Sequence, residues 1–342
     1  MKQFAALLCC LLMFGWNHAV AETNGELYLY GEQHNQQAIL EYELKLWQNH
    51  YAEGFRHLFV ELPYYTAEYL NQWIKAPDDV ILEALYADWE GTAVQSPQVL
   101  DFYRQIKLLC PETLFLGTDV GHQYHTTGQR FLKELEQQGL TDTESYRLAL
   151  ECAEQGKRYY GNQDAVYREN QMSENLAQAW ERIGCVNAMG IYGSAHTGIG
   201  SLNHTGEAPS MASQLAALYG ARIHSEDLTE LAKTTTPLSE SKMELHGKIY
   251  RALYFGEQDL TSFSSKYTRR TFWRMEDAYA DFEHCLRTGD VLPYNNYPMQ
   301  ISIGEVFVLD YTLADGSVER MMYLSCGNEW NGLPVTEGVR WE

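Results

Sequence analysis

Leu27-Tyr-Leu-Tyr30, His57-Leu-Phe-Val60, Thr113-Leu-Phe-Leu116 and Val186 to Tyr192 are short β-prone runs, separated by long stretches with helical spacing. This alternation restricts the fold more than any other feature. Parallel strands need crossovers, so strands alternating with helices build a mainly parallel sheet with helices on both faces. Gln36 to Tyr51 places Ile39, Leu40, Leu44, Trp47 and Tyr51 near a helical period, and Gly54 stops it. Tyr64 to Ile74, Pro97 to Leu109, Gln129 to Gln137, Gln163 to Ile183 and Met211 to Tyr219 read the same way, while Gly220 to His224 adds a further strand. The expected fold class is α/β, a three-layer α/β/α arrangement.

From about Thr234 the texture changes. A Thr-Thr-Thr-Pro link leads into an aromatic region, Met243 to Arg287, that is expected to be helical. Two strands, Ile301 to Tyr311 and Arg320 to Ser325, then close the chain through Asp315-Gly316, a pair that favours a hairpin turn. The expected organisation is an α/β domain over 22–233 and a smaller C-terminal α+β module over 234–342.

Residues 1–21 read as a secretory signal: Lys2, an apolar run from Phe4 to Trp16, then Ala19-Val20-Ala21 as a cleavage site. The run is too short to span a bilayer and no later stretch is longer, so the mature protein is expected to be secreted or periplasmic, with no membrane span. Of the seven cysteines, Cys110, Cys152, Cys185, Cys285 and Cys326 fall beyond that segment. An oxidising compartment would allow up to two disulfides, with Cys285 and Cys326 the favoured pair. Asp and Glu number 46 against 25 Lys and Arg, a formal charge of -21. A surface that neutralises phosphates by counterion release is thereby excluded, and nucleic acid with it. A small molecule or a peptide is the expected substrate, and oligomeric state is not legible.

The chemistry lies in what ends each strand. The first run ends in Gly31-Glu32-Gln33-His34, the second in Glu61, the third in Gly117-Thr118-Asp119, the fourth in Gly193-Ser194-Ala195-His196. Ligands of open α/β sheets bind outside the carboxyl ends of the strands, so these side chains can converge in one crevice. Gly31 and Gly193 leave room for the chain to turn and for a substrate beside the imidazoles. Arg168 sits in the longest helix, with Met172 and Asn175 one and two turns on, which places it either on a solvated face or on the helix's inner edge. There is no Gly-x-Ser-x-Gly elbow around Ser194, no His-Glu-x-x-His and no phosphate loop. His122 and His125, with Asp119, have a spacing open to metal binding or to plain loop hydrogen bonding.

These motifs, in this order, resemble the erythromycin esterase and ChaN-like superfamily, which also takes in the TraB/Tiki proteins. Gly31 to His34 is similar to its G-E-x-H motif, Phe59-Val60-Glu61-Leu62-Pro63 to its strand ending in glutamate, and Phe115 to Asp119 to its G-x-D strand end. Arg168 to Asn175 resembles an R-D-x-x-M-A-x-N helix, with Glu169 in place of Asp, and Gly193 to His196 the second G-x-x-H of the Tiki branch. The resemblance runs from about Glu26 to Leu228. It implies a pocket in which Glu32, His34, Glu61, Arg168 and His196 converge. Esterase-like members are thought to activate water without metal, Tiki-like members are metal-dependent peptidases, and ChaN-like members bind haem.

The expected function is a secreted hydrolase of an ester, lactone or amide. His34 is the candidate general base, held by Glu32 or Glu61, His196 a second acid/base or orienting group, and Arg168 the cation that stabilises the oxyanion. Asp119 and Asn175 are candidates for substrate contact. In a metal-dependent version, His34, Glu61 and His196 would ligate one divalent ion. The alternative is a haem- or ligand-binding protein without catalysis, its iron held by an axial His or Tyr.

Overall fold

The computed structural model describes residues 25–340 except 93, 262–263 and 331–332, so the expected signal segment lies outside the described residues. The first part runs β1 (Leu27–Glu32), α1 (Gln37–Ala52), β2 (His57–Pro63), α2 (Tyr64–Trp73), α3 (Val80–Asp88), α4 (Pro97–Leu109), β3 (Leu114–Asp119) and α5 (Gln129–Gln137). It continues through α6 (Glu144–Asn162), α7 (Ala165–Arg182), β4 (Ala188–Gly193), α8 (Ser194–Thr197), α9 (Met211–Tyr219) and β5 (Ile223–Asp227). The five strands pair in parallel in the order β3-β2-β4-β1-β5.

Alternation along the strands makes the three layers. Leu58 and Val60 of β2 join Tyr30 of β1 in a core built with Leu40 and Trp47 of α1, Tyr65 and Trp73 of α2, and Phe102 of α4. Phe59, Leu27 and Leu29 point the other way, onto Met172, Leu176 and Trp180 of α7 and Met211 and Leu215 of α9. Successive residues of a strand face opposite sides, so both faces must be covered. The α/β class and three-layer arrangement expected from the sequence are what the structure has.

The C-terminal part corrects the reading of 243–287. That region is not helical: β6 (Ser239–Leu245), β7 (Lys248–Asp259) and β8 (Tyr267–Met275) precede one short helix, α10 (Tyr279–Phe282). Then come β9 (Arg287–Pro293), β10 (Val306–Leu313), β11 (Val318–Leu324), β12 (Glu329–Trp330) and β13 (Leu333–Val339). Among the described residues these form an antiparallel sheet ordered β12-β13-β11-β10-β8-β7-β6, with β9 on β13. His246 and Gly247, both at positive φ (51° and 73°), form the tight hairpin between β6 and β7. Tyr250, Tyr254, Phe255, Thr271, Phe272 and Trp273 are strand formers, and because both faces of the sheet are buried their period-2 signal is blurred. Asp315-Gly316 does turn β10 into β11.

The expected disulfide is also corrected, since all five described cysteines are free. Cys326 Sγ instead receives Tyr279 OH at 3.6 Å and Arg287 Nη2 at 3.2 Å. Among the described residues no helix is long and apolar enough to cross a membrane.

Candidate active site

Three adjacent strands, β2, β4 and β1, bring the chemistry together at their carboxyl ends. Glu32 closes β1 opposite Gly193, which closes β4, and Glu61 lies near the end of β2. Asn35, in the left-handed region at φ 60°, turns the chain after His34 back toward α1. Asn tolerates that conformation at little cost. His196 sits in the single turn α8 that follows β4 directly.

Glu32 Oε1 and His34 Nδ1 are 2.7 Å apart, and His34 Nε2 faces Glu61 Oε2 at 4.0 Å. A proton on Nδ1, held by Glu32, leaves Nε2 as the lone-pair nitrogen of the neutral ring. Burial works against the His34 imidazolium, but Glu32, seconded by Glu61, outweighs it and lifts the pKa to about 9. Glu61 has no free oxygen: Oε1 accepts from Arg168 Nη2 at 2.6 Å and Oε2 from Gly193 N at 2.6 Å. Its burial disfavours charge, yet His196, His34 and Arg168 bring its pKa down to about 2. Glu61 is therefore an anchor for the two histidines and the arginine, and Glu32 is the carboxylate that holds His34.

Arg168, 16% exposed, is gripped on two sides. Asp119 takes Nε at 3.0 Å and Nη2 at 2.6 Å, while Nη1 lies 3.5 Å from His196 Nε2. Although burial opposes the Asp119 charge, Arg168 and His122 hold that carboxyl far below the usual carboxylate range. His196 is buried, which disfavours its imidazolium, but Glu61 and Glu169 raise its pKa. Glu169 was not anticipated from sequence. It is 1% exposed and binds His196 Nδ1 at 2.6 Å through one oxygen and the backbone N–H of Met211, at the start of α9, through the other. The sequence cue was its place in the Arg168–Asn175 motif, where it stands for Asp, and no role was assigned to it there.

The two glycines matter for space, not for backbone freedom, because neither has a positive φ. A Cβ on Gly193 would stand 3.3 Å from both Glu61 Oε2 and His34 Nε2. One on Gly31 would meet Thr197 Oγ1 at 2.3 Å and Ser194 Cα at 3.0 Å, so Gly31 lets α8 lie against β1.

These groups floor a cleft of about 810 Å³ whose walls include Glu32, His34, Glu61, Arg168 and His196. The opposite wall comes from the second sheet, with Glu257, Gln258, Asp259, Leu260 and Arg270, and from Asn295 and Asn296. No motif marks that wall. Arg270 is fixed there by Gln258 Oε1 at 2.6 Å and by Asn296 at 3.1 Å. Two expected substrate contacts are not among the residues lining the cleft. Asp119 is 1% exposed and engaged by Arg168, His122 and its neighbour Val120 N. Asn175 exchanges paired amide hydrogen bonds with Gln155 and donates to Thr118 O at 3.1 Å. His122 bridges Asp119 and Tyr160, which satisfies both its nitrogens.

The proposed metal set does not fit this geometry. Both oxygens of Glu61 accept hydrogen bonds, and His196 Nε2 already lies 3.5 Å from Glu61 Oε1 and 3.5 Å from Arg168 Nη1, with the guanidinium cation beside them. Among the described residues no group of three His, Cys, Asp or Glu side chains is arranged to hold a metal ion. Haem fits no better, because the walls carry mainly amides and charges, with Ala195 and Leu260 the apolar side chains, where a macrocycle needs an apolar slot.

No protein-family model matches the chain, and no curated protein matches it. Among solved structures, three are similar to it. A succinoglycan biosynthesis protein has 13% identity over 67% of this chain and 71% of its own, at a TM-score of 0.45. A protein from Bacillus cereus has 12% identity over 93% and 86%, at 0.46. An erythromycin esterase mutant, EreC in its open conformation, has 11% identity over 60% and 70%, at 0.43.

Proposed function

We propose that the chain is a secreted or periplasmic hydrolase of an ester, lactone or amide. The observation that carries this is His34: Glu32 fixes its Nδ1, and the ring, 35% exposed, lines a cleft that also holds a clamped arginine. His34 Nε2 takes a proton from water as the oxygen attacks the substrate carbonyl. Arg168 Nη1 and His196 Nε2, 3.5 Å apart, supply the two donors for the oxyanion. Collapse of the tetrahedral intermediate breaks the carbonyl–leaving-group bond, and the His34 imidazolium returns its proton to the departing oxygen or nitrogen. Glu61 and Asp119 keep Arg168 in place throughout. Gln33, Asn35, Gln36, Gln95, Asn295 and Asn296 line the same cleft, so the substrate is neutral and rich in hydrogen-bonding oxygens.

A panel of nitrophenyl esters, lactones and amides, assayed with the protein and its His34→Gln variant, tests this. The variant should lose roughly 10²–10⁴-fold in kcat/KM with an unchanged circular dichroism spectrum. Equal rates in the two proteins would remove His34 from the mechanism.

A further inference from the structure

Glu43 lies on α1, 0% exposed, among residues that build the core. Neither of its carboxyl oxygens has a hydrogen-bond partner among the described residues. It lines a side chamber of about 50 Å³ walled by Leu40, Val60, Leu62, Val99, Phe102 and Ile191. Glu32, His34 and Glu61 line both this chamber and the main cleft, so the chamber opens directly behind the proposed base.

A carboxylate cannot stay charged in such a place. It would have neither solvent nor counter-ion, and the charged neighbour that acts on it, Glu32, has the same sign. The neutral acid carries an O–H that must donate, and no acceptor among the described residues lies within hydrogen-bond distance of it, although the Tyr103 side chain also lines the chamber. A water needs roughly 10–15 Å³ and two or more polar partners, which the chamber supplies. Glu32 gives Oε1 to His34, which leaves Oε2 as the acceptor.

We propose that Glu43 is a proton-carrying carboxylic acid that donates, through water held in this chamber, to Glu32 and so positions the Glu32–His34 pair. A donor on the far oxygen of Glu32 fixes the carboxylate plane against the imidazole and tempers its pull on the His34 proton, without adding a second negative charge beside it. Glu43 is a positioning residue, since it acts through Glu32 and touches no substrate. The inference concerns the same pair as the proposed hydrolase, but it is tested without turnover, so failure of one leaves the other standing.

Infrared difference spectra of the unloaded protein at neutral pH read it. Wild type minus Glu43→Gln should show the carbonyl stretch of one protonated carboxylic acid, moving down on transfer to deuterium oxide. In Glu32→Gln that band should persist and move up in frequency, because an amide is a weaker acceptor than a carboxylate. Carboxylate bands in place of the acid band would show Glu43 ionised and overturn the proposal. An acid band unmoved by Glu32→Gln would overturn the coupling to Glu32. Should Glu43→Gln fail to fold by circular dichroism, the comparison of wild type with Glu32→Gln gives the decision alone.

Discussion

Asp119 was expected to touch substrate, and its surroundings predict something different for its removal. The carboxylate is 1% exposed and accepts from Arg168 Nε and Nη2, from His122 and from Val120 N. Asp119→Asn keeps the shape and one acceptor but deletes the charge, so the guanidinium is left with Glu61 as its sole carboxylate. Removing one partner of a buried pair costs about 3–5 kcal/mol, and the retained acceptor lowers this to about 3 kcal/mol. Urea unfolding followed by tryptophan fluorescence should therefore show a lower midpoint at unchanged slope. The sign of the pH dependence adds a second check. Asp119 has a depressed folded pKa, so its contribution is fully present above the unfolded value of about 4 and fades as pH falls through the folded value. The deficit of the variant should be largest at neutral pH and shrink on acidification. A loss under about 1 kcal/mol, or a deficit that grows in acid, would refute the description of a buried charge clamp.

Three further outcomes follow from the same geometry. With His34 raised to about 9 by Glu32 and Glu61, the base form accumulates only toward alkaline pH, so kcat/KM on a turned-over ester should rise to a plateau above about 9. Glu32→Gln should move that limb to lower pH, and a profile flat across this range would contradict the assignment. Gly193→Ala should lower kcat about tenfold by pushing Glu61 and His34 apart by tenths of an ångström, while its unfolding midpoint barely changes; an unaltered kcat would show that the spacing is not critical. Thiol titration of the denatured, unreduced protein beginning at Glu22 should count five, and a count of three or one would restore a disulfide.

The parallel layer was legible because β1 to β4 are each built on a short apolar run followed by glycine or a charged residue, whereas the edge strand β5, Ile-His-Ser-Glu-Asp, buries only Ile223. The sheet order then placed Glu61, Gly193 and Glu32 side by side. The second sheet was not legible. Tyr250, Ala252 and Leu253 occupy neighbouring positions and all are buried, so β7 shows no clean alternation to set against a helical one. Within the site, sequence named the residues that begin turns, His34 and His196, since glycines flag them. It gave no role to Glu169 and missed Glu43, both of which sit inside helices among other charged residues and gain meaning only from what packs on them. Asp119 and Asn175 show the converse: both types commonly bind ligands, and here their polar atoms are spent inside the fold.

The charge of the whole chain and the charge of its cleft pull in different directions, and the difference bears on what can be turned over. Formal charge is -21, yet the floor of the cleft concentrates His34, His196 and Arg168. Each of these cations is already paired, with Glu32, Glu169 and the Asp119–Glu61 clamp respectively, so none offers an unbalanced charge to draw an anion from solution. The field of the remaining surface repels anions over about a Debye length, ~8 Å at physiological salt. A neutral substrate enters such a cleft without penalty. In the proposed reaction, hydrolysis would create a carboxylate where none existed, and that product would meet both the paired floor and the negative surround. The donors proposed for the oxyanion, Arg168 Nη1 and His196 Nε2, belong to these balanced pairs, so under the proposed mechanism a permanent anion should be held weakly and released rather than accumulate.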